Sequence, residues 1–120
     1  MFPNTVTIFN VINSKESIKY HRQVVSDVFY HKNKIISQEG KGEKYTYAYN
    51  VIFSNIALLK WKDKRNFDGS SDTYTLREND IIVLDEYGEI SESNMDWFLI
   101  KTTSENIYGD EELRNIEVTN

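Results

Sequence analysis

Residues 45–54, YTYAYNVIFS, alternate without a slip. Tyr45, Tyr47, Tyr49, Val51 and Phe53 take every second position, with Thr46, Ala48, Asn50, Ile52 and Ser54 between them. A helix would scatter those five side chains around its circumference, whereas a strand places all of them on one side. A second stretch, Asp72 to Glu86 (DTYTLRENDIIVLDE), reads as strand, tight turn, strand. Thr73 to Leu76 are β-formers, and Arg77-Glu78-Asn79 is a polar turn. Asn79 is its natural closing residue, because Asn enters the left-handed backbone region at little cost. The unbroken Ile81–Leu84 run is too short for a comfortable helix and is rich in Ile and Val. It predicts a strand buried on both faces, near the middle of a small β-fold.

The remaining segments agree. Pro3 fixes an extended entry, and Thr5–Ile12 is a first strand. It is followed by a turn at Asn13–Glu16 and a strand in which Ile18, Tyr20 and Val24 alternate with Lys19, His21 and Gln23. Val24-Val25 breaks that alternation and predicts a bulge or bend, as small barrels require. Residues 31–43 predict a long hairpin with an exposed tip near Gly40 and Gly42. Residues 56–62 are either a short helix or a strand. The Asp72–Glu86 hairpin ends at Tyr87-Gly88, and one helical turn, capped by Ser91 or Ser93, falls within Ser91–Asp96. Trp97–Thr103 is a strand, Ser104–Glu112 a polar acidic loop, and Leu113–Val118 a last strand. The expectation is an all-β chain: a small β-barrel or sandwich of seven to eight mostly antiparallel strands, with long loops and at most one or two short helical turns. At 120 residues it forms a single domain, 1–120.

Composition narrows the chemistry. There is no cysteine, so neither a disulfide framework nor a thiolate metal site is available. No apolar run approaches a membrane span, and the first residues lack the charged-then-apolar form of a signal peptide. A net charge of −5 opposes general affinity for nucleic-acid backbone. His21 and His31 stand ten apart with no HxxxH or HxH spacing, and they read as surface strand histidines rather than metal ligands. Carboxylates at Glu78/Asp80, Asp85/Glu86 and Asp110-Glu111-Glu112 lack the calcium-loop pattern and read as turn residues and a solvated rim. Gly40-Lys41-Gly42 lacks the order of a phosphate loop, and no nucleophile motif occurs. The sequence therefore predicts no enzyme and calls for no cofactor.

What remains are surfaces. Lys60, Lys62, Lys64 and Arg65 surround Trp61 in the only dense basic run. Rings among lysines can stack on bases. The acidic total instead favours contact with an acidic surface on a neighbouring chain, with Asp110, Glu111 and Glu112 as the partner across a head-to-tail contact. The tyrosine row is either sheet face or a protein interface.

The opening PNTVTIFN, the central YTLRENDIIV and the closing FLIKTTSENIYG and LRNIEV resemble, in that order, small neck proteins of tailed phages from Gram-positive hosts. These are of the head-closure or head–tail connector type. Thr75-Leu76, Asp80, Ile82 and Val83 match the central hairpin of that group, Asn79 stands where a glycine is usual, and Gly109 falls in the last loop. The resemblance implies a small barrel that assembles with itself as a ring between portal-adaptor and tail-terminator proteins. It implies a virion location after synthesis in the bacterial cytoplasm, with DNA passing nearby without specific binding and no membrane. Gly40, Lys41, Gly42 and the loop from Lys60 to Ser71 are the parts expected to reach other subunits. The alternative is a monomeric β-barrel binding module, a phage or mobile-element regulator that docks a host protein through its tyrosine face.

Overall fold

The structure is a computed structural model that describes residues 2–13, 18–39, 42–86 and 96–120. The expected turn after Asn13, the hairpin tip at Gly40 and Lys41, the end at Tyr87-Gly88 and the capped turn over Ser91–Asp96, except Asp96 itself, lie outside these residues. The described chain is all-β. Its strands are β1 (Asn4–Asn13), β2 (Ile18–Glu39), β3 (Gly42–Phe53), β4 (Ile81–Leu84), β5 (Trp97–Leu99), β6 (Thr102–Asn106) and β7 (Asn115–Thr119). Two short 3-10 turns, Ala57–Lys60 and Glu111–Leu113, are the only helical elements among the described residues.

All seven strands join one antiparallel sheet in the order β5-β4-β1-β2-β3-β7-β6. The strands at its two edges, β5 and β6, are consecutive in the chain and separated only by Ile100 and Lys101. So short a link forces the two edges together, and the sheet curls into a half-barrel. The link is bonded to both sides: Ile100 N–H donates to Asp80 O at 2.9 Å, and Lys101 N–H donates to Thr119 O at 2.9 Å. Val6, Ile8, Val28, Val51, Phe53, Ile82, Ile116 and Val118 fill the hollow, joined by Ala57, Tyr74 and Leu76 from the segment between β3 and β4. That segment plugs the half-barrel. β4 is buried on both faces as expected: Ile82 and Leu84 face this core, while Ile81 and Val83 meet Phe9 and Trp97 on the other side.

The structure corrects several boundaries. Thr73–Leu76 and Ile81–Leu84 are not two arms of a hairpin, since β4 pairs with β1 and β5. The 73–76 segment makes only an isolated parallel bridge, Trp61 to Tyr74. Its backbone finds other partners. The Asn10 side-chain amide donates to Thr75 O at 2.7 Å and accepts from Thr75 N–H at 3.1 Å, so one side chain does what a neighbouring strand would do. Asn79 does occupy the left-handed region, with φ of 73°. The bend in β2 falls just after Val24-Val25. Asn4 pairs with Val28 but Val6 with Val25, so β2 carries one extra residue over Ser26-Asp27, where Asp27 has φ of 60°. Trp97–Thr103 breaks into β5 and β6 at the Ile100-Lys101 corner. β6 extends through Asn106 into the stretch expected to be loop, and Leu113 belongs to a 3-10 turn rather than to β7.

Candidate functional site

β2 and β3 remain paired with each other well beyond the rest of the sheet. β1 accompanies β2 only as far as Val28, and β7 accompanies β3 only from Asn50 to Phe53. From there to the Glu39–Gly42 pair the two strands form a ribbon with both outer edges open. Eight residue pairs, Lys32–Tyr49 to Glu39–Gly42, at about 3.3 Å each carry it roughly 26 Å past the core. The radius of gyration, 15.4 Å, reflects this arm; a compact chain of this length comes to about 13.6 Å.

The arm is anchored at its base. The register sets Lys32 opposite Tyr49 and Lys34 opposite Tyr47, on the face that continues Val28, Val51 and Phe53. Tyr49 stacks on Phe98 with ring centroids 4.9 Å apart, and its hydroxyl donates to Asp96 Oδ1 at 2.6 Å. Lys32 Nζ donates to Asp96 Oδ2 at 2.9 Å and lies 4.2 Å from the centroid of the Tyr47 ring. Burial, reinforced by the Asp96 carboxylate, pushes the Tyr49 phenol well above its ordinary range, so it remains a donor. On the open edge of β3, the Asn120 side chain stands in for a peptide unit. It accepts from Tyr49 N–H and donates to Tyr47 O, both at 2.9 Å.

A second polar cluster fixes the plug. Asp80 is 1% exposed. Its carboxylate accepts from Asn10 Nδ2 at 2.8 Å, Val11 N–H at 2.9 Å and Arg77 Nε at 3.0 Å, while Arg77 Nη2 also donates to Val11 O at 2.8 Å. The Arg77 guanidinium lies over the Phe67 ring, which in turn meets His21. His21 Nε2 is 2.7 Å from Thr73 O, a structural contact, and His31 is exposed on the arm. Among the described residues, no group of three or more His, Asp or Glu side chains is placed to hold a metal ion.

With this geometry the chain can be set beside other proteins. Residues 1–120 match the model of a family of unknown function, DUF6751. The chain belongs to DUF6751. No curated protein and no solved structure matches it.

In this DUF6751 member the surface residues singled out by the sequence fall in three places. Gly42 opens β3 on the arm and is exposed. Lys60, Lys62, Lys64 and Arg65 are exposed on the plug, whereas Trp61 is half-buried and packs against the main core. Asp63 lies within the basic run and binds Arg65, accepting from its backbone N–H at 3.0 Å and from Nε at 3.1 Å. The Arg65 backbone N–H, and then its guanidinium, hold the Asp63 carboxyl below the usual range, and Asp63 in turn favours the charged form of Arg65. Asp110, Glu111 and Glu112 are exposed at the 3-10 turn before β7.

The basic run and the acidic loop turn out to be neighbours. Leu59, beside Lys60, lines one cleft with Glu111 and Glu112, and Arg65 lies within electrostatic reach of Glu105 and Tyr108. Each end of the basic run thus lies near acidic residues of the same chain. The sequence reading missed Lys32, Asp96 and Asn120. Counting pairs back from the hairpin tip would have found Lys32 opposite Tyr49, but nothing local marks Asp96 or Asn120, which arrive from distant strands.

Proposed function

We propose that this DUF6751 protein is a structural assembly component of a tailed-phage virion, a head–tail connector or head-closure protein of the neck. Copies join as a ring between portal-adaptor and tail-terminator proteins, and DNA passes through without specific contacts. The observation that carries this reading is the anchored two-stranded arm. An isolated ribbon is marginally stable in water, and open strand edges invite pairing, so a chain that fixes such an arm firmly at its base presents it for contact with another subunit. The half-barrel supplies the rigid mount, with Ile100-Lys101 tying its two edges, and the net charge of −5 suits a wall that phosphate must slide past. The resemblance of the central and closing segments to neck proteins supplies the setting.

The test is mass spectrometry of purified virions induced from a host that carries the gene, followed by a density map of the neck. The expected result is the chain present in ring stoichiometry between portal and tail. Its absence from virions that contain the portal would overturn the reading. In that case the arm would serve a monomeric binding module, and a one-to-one complex with a host protein would be found instead.

A further inference from the structure

β2 also has an open edge on the body. β3 pairs with β2 from Val28 outward and leaves the sheet at Ser54. Among the described residues, no strand lies on that side of β2 from Ile18 to Asp27, although β1 pairs with the same stretch on the other side. The ladder shows which peptide groups face the open side. Val11 N–H donates to Asp80 and Val11 O accepts from Arg77, so both point away from β2. Val11 stands opposite Tyr20, and residues opposite each other in an antiparallel ladder alternate between bonded and unbonded pairs. Tyr20 and Val24 therefore turn their N–H and C=O groups to the open side. There Val24 O meets the Gln23 side-chain amide, at a long 3.3 Å. Along this edge lies a cavity of about 330 Å³. Val25 and Asp27 of β2 form one wall, Ile56, Ala57 and Lys60 of the first 3-10 turn form the other, and Tyr74 lies between.

We propose that an extended acidic segment of a partner protein adds to this edge as a further strand. Its backbone pairs with Tyr20 and Val24, and an aliphatic side chain enters the cavity against Val25 and Ala57. Charge selects the acidic partner. From Ile18 to Ser26 the strand carries Lys19 and Arg22 and no carboxylate, and Lys60 stands in the opposite wall. Lys19 and Lys60 form no ion pair among the described residues, and Arg22 reaches Glu86 only at 3.9 Å. The one carboxylate in the cavity wall, Asp27, lies past the stretch to be paired, where Ser54 N–H and Oγ both donate to Asp27 O. A second copy offering the same edge would set its own Lys19 and Arg22 against these, like charge against like. The site stands whether or not the chain is a connector, and its test needs no virion.

The probe is a short synthetic peptide of alternating glutamate and valine, blocked at both ends. Its binding to the intact chain is followed by fluorescence anisotropy and by hydrogen exchange. The peptide should bind, more weakly as salt rises, and should slow exchange at the Tyr20 and Val24 amides, which exchange fast in the free chain. The lysine–valine counterpart should not bind. Methylating alternate peptide nitrogens removes the donors that strand pairing needs and should weaken binding about tenfold or more. Lys60→Glu, at an exposed side chain, should weaken it on the order of fivefold. Val24→Pro removes an edge N–H and should abolish binding, with folding checked by circular dichroism. No binding of the glutamate–valine peptide, equal binding of its lysine–valine or methylated forms, or protection confined to the arm would overturn the proposal. So would self-association of the parent chain in sedimentation that Val24→Pro abolishes, which would make a second copy the occupant.

Discussion

Replacing Asp80 by asparagine preserves the size and shape of the side chain and changes only what its two terminal atoms can accept. Oδ2 takes Asn10 Nδ2 and Arg77 Nε, and Oδ1 takes Val11 N–H and Arg77 Nη2, the last at 3.3 Å. Whichever way the amide turns, its NH2 meets two donors. The Asp80 side chain is 2% exposed and that of Arg77 29%, so water cannot easily repair the loss. A hydrogen bond to a charged group contributes about 1.5–3 kcal/mol, and breaking a buried pair costs about 3–5 kcal/mol. Losing one oxygen's pair of bonds therefore predicts about 3–5 kcal/mol of destabilisation, against a total stability of roughly 5–15 kcal/mol for a domain. At about 4 °C per kcal/mol, the melting temperature should fall by ~12–20 °C. Urea unfolding followed by tryptophan fluorescence measures the change, with Trp61 and Trp97 both partly buried reporters and Glu112→Gln, on the exposed acidic turn, as the control. An Asp80→Asn protein within about 1 kcal/mol of the parent would show that the carboxylate does not hold the plug against β1.

Other outcomes follow from the same contacts. Asn79→Val places a β-branched residue at φ of 73° and should cost about 1–2 kcal/mol in the same urea assay, while Asn79→Gly should be close to neutral. The Tyr49 and Tyr74 phenols are both held above the ordinary value of 10.0, chiefly by burial. Below that pH folded and unfolded chains alike keep these protons. Above it the unfolded chain ionises first, so stability should fall as pH rises past about 10, with a shallower fall in Tyr49→Phe and Tyr74→Phe. Spectroscopic titration of tyrosinate should show these two rings ionising only as the chain unfolds. Asn120→Ala removes the acceptor for Tyr49 N–H and should speed hydrogen exchange at that amide while changing global stability by less than about 1 kcal/mol.

The parts of this fold legible in the sequence are those where burial alternates locally. The 45–53 row and the Ile81–Leu84 run both announce strands, because one face or both must leave water. Asn79 announces its own left-handed backbone. The 73–76 segment misled because β-propensity reports a half-buried extended chain, not its partner. Tyr74, Thr75 and Leu76 are extended and buried, but their hydrogen bonds go to Asn10, Lys60 and Lys62 instead of a sheet. The break at Ile100-Lys101 was invisible for a similar reason. WFLIKTT is uniformly strand-forming, and only the need to reach both edges of a curled sheet divides it. The basic run around Trp61 looked like a separate patch because sequence distance hides the return of the 105–114 segment beside it.

The anchoring of the arm also says where its order must end. Asp96, Phe98 and Asn120 hold the ribbon as far as Tyr47, through an ion pair, a ring stack and a two-ended amide bridge. Among the described residues, Ile35 and Ile36 beyond that point stay exposed on opposite faces, and both strand edges are open. Cross-strand pairs contribute only about 0.2–1 kcal/mol each, so the outer half depends on those few pairs and on whatever covers it. A ribbon tied at one end and uncovered at the other is shaped for capture, because the base sets its direction while the tip keeps its apolar surface for a partner. Hydrogen exchange should therefore be slow at the arm's base in the free chain and fast outward of Tyr47, with the outer amides slowing only when the chain assembles. Uniform protection along the whole arm in a monomer would mean that the ribbon is stable by itself and gains no order from a neighbour.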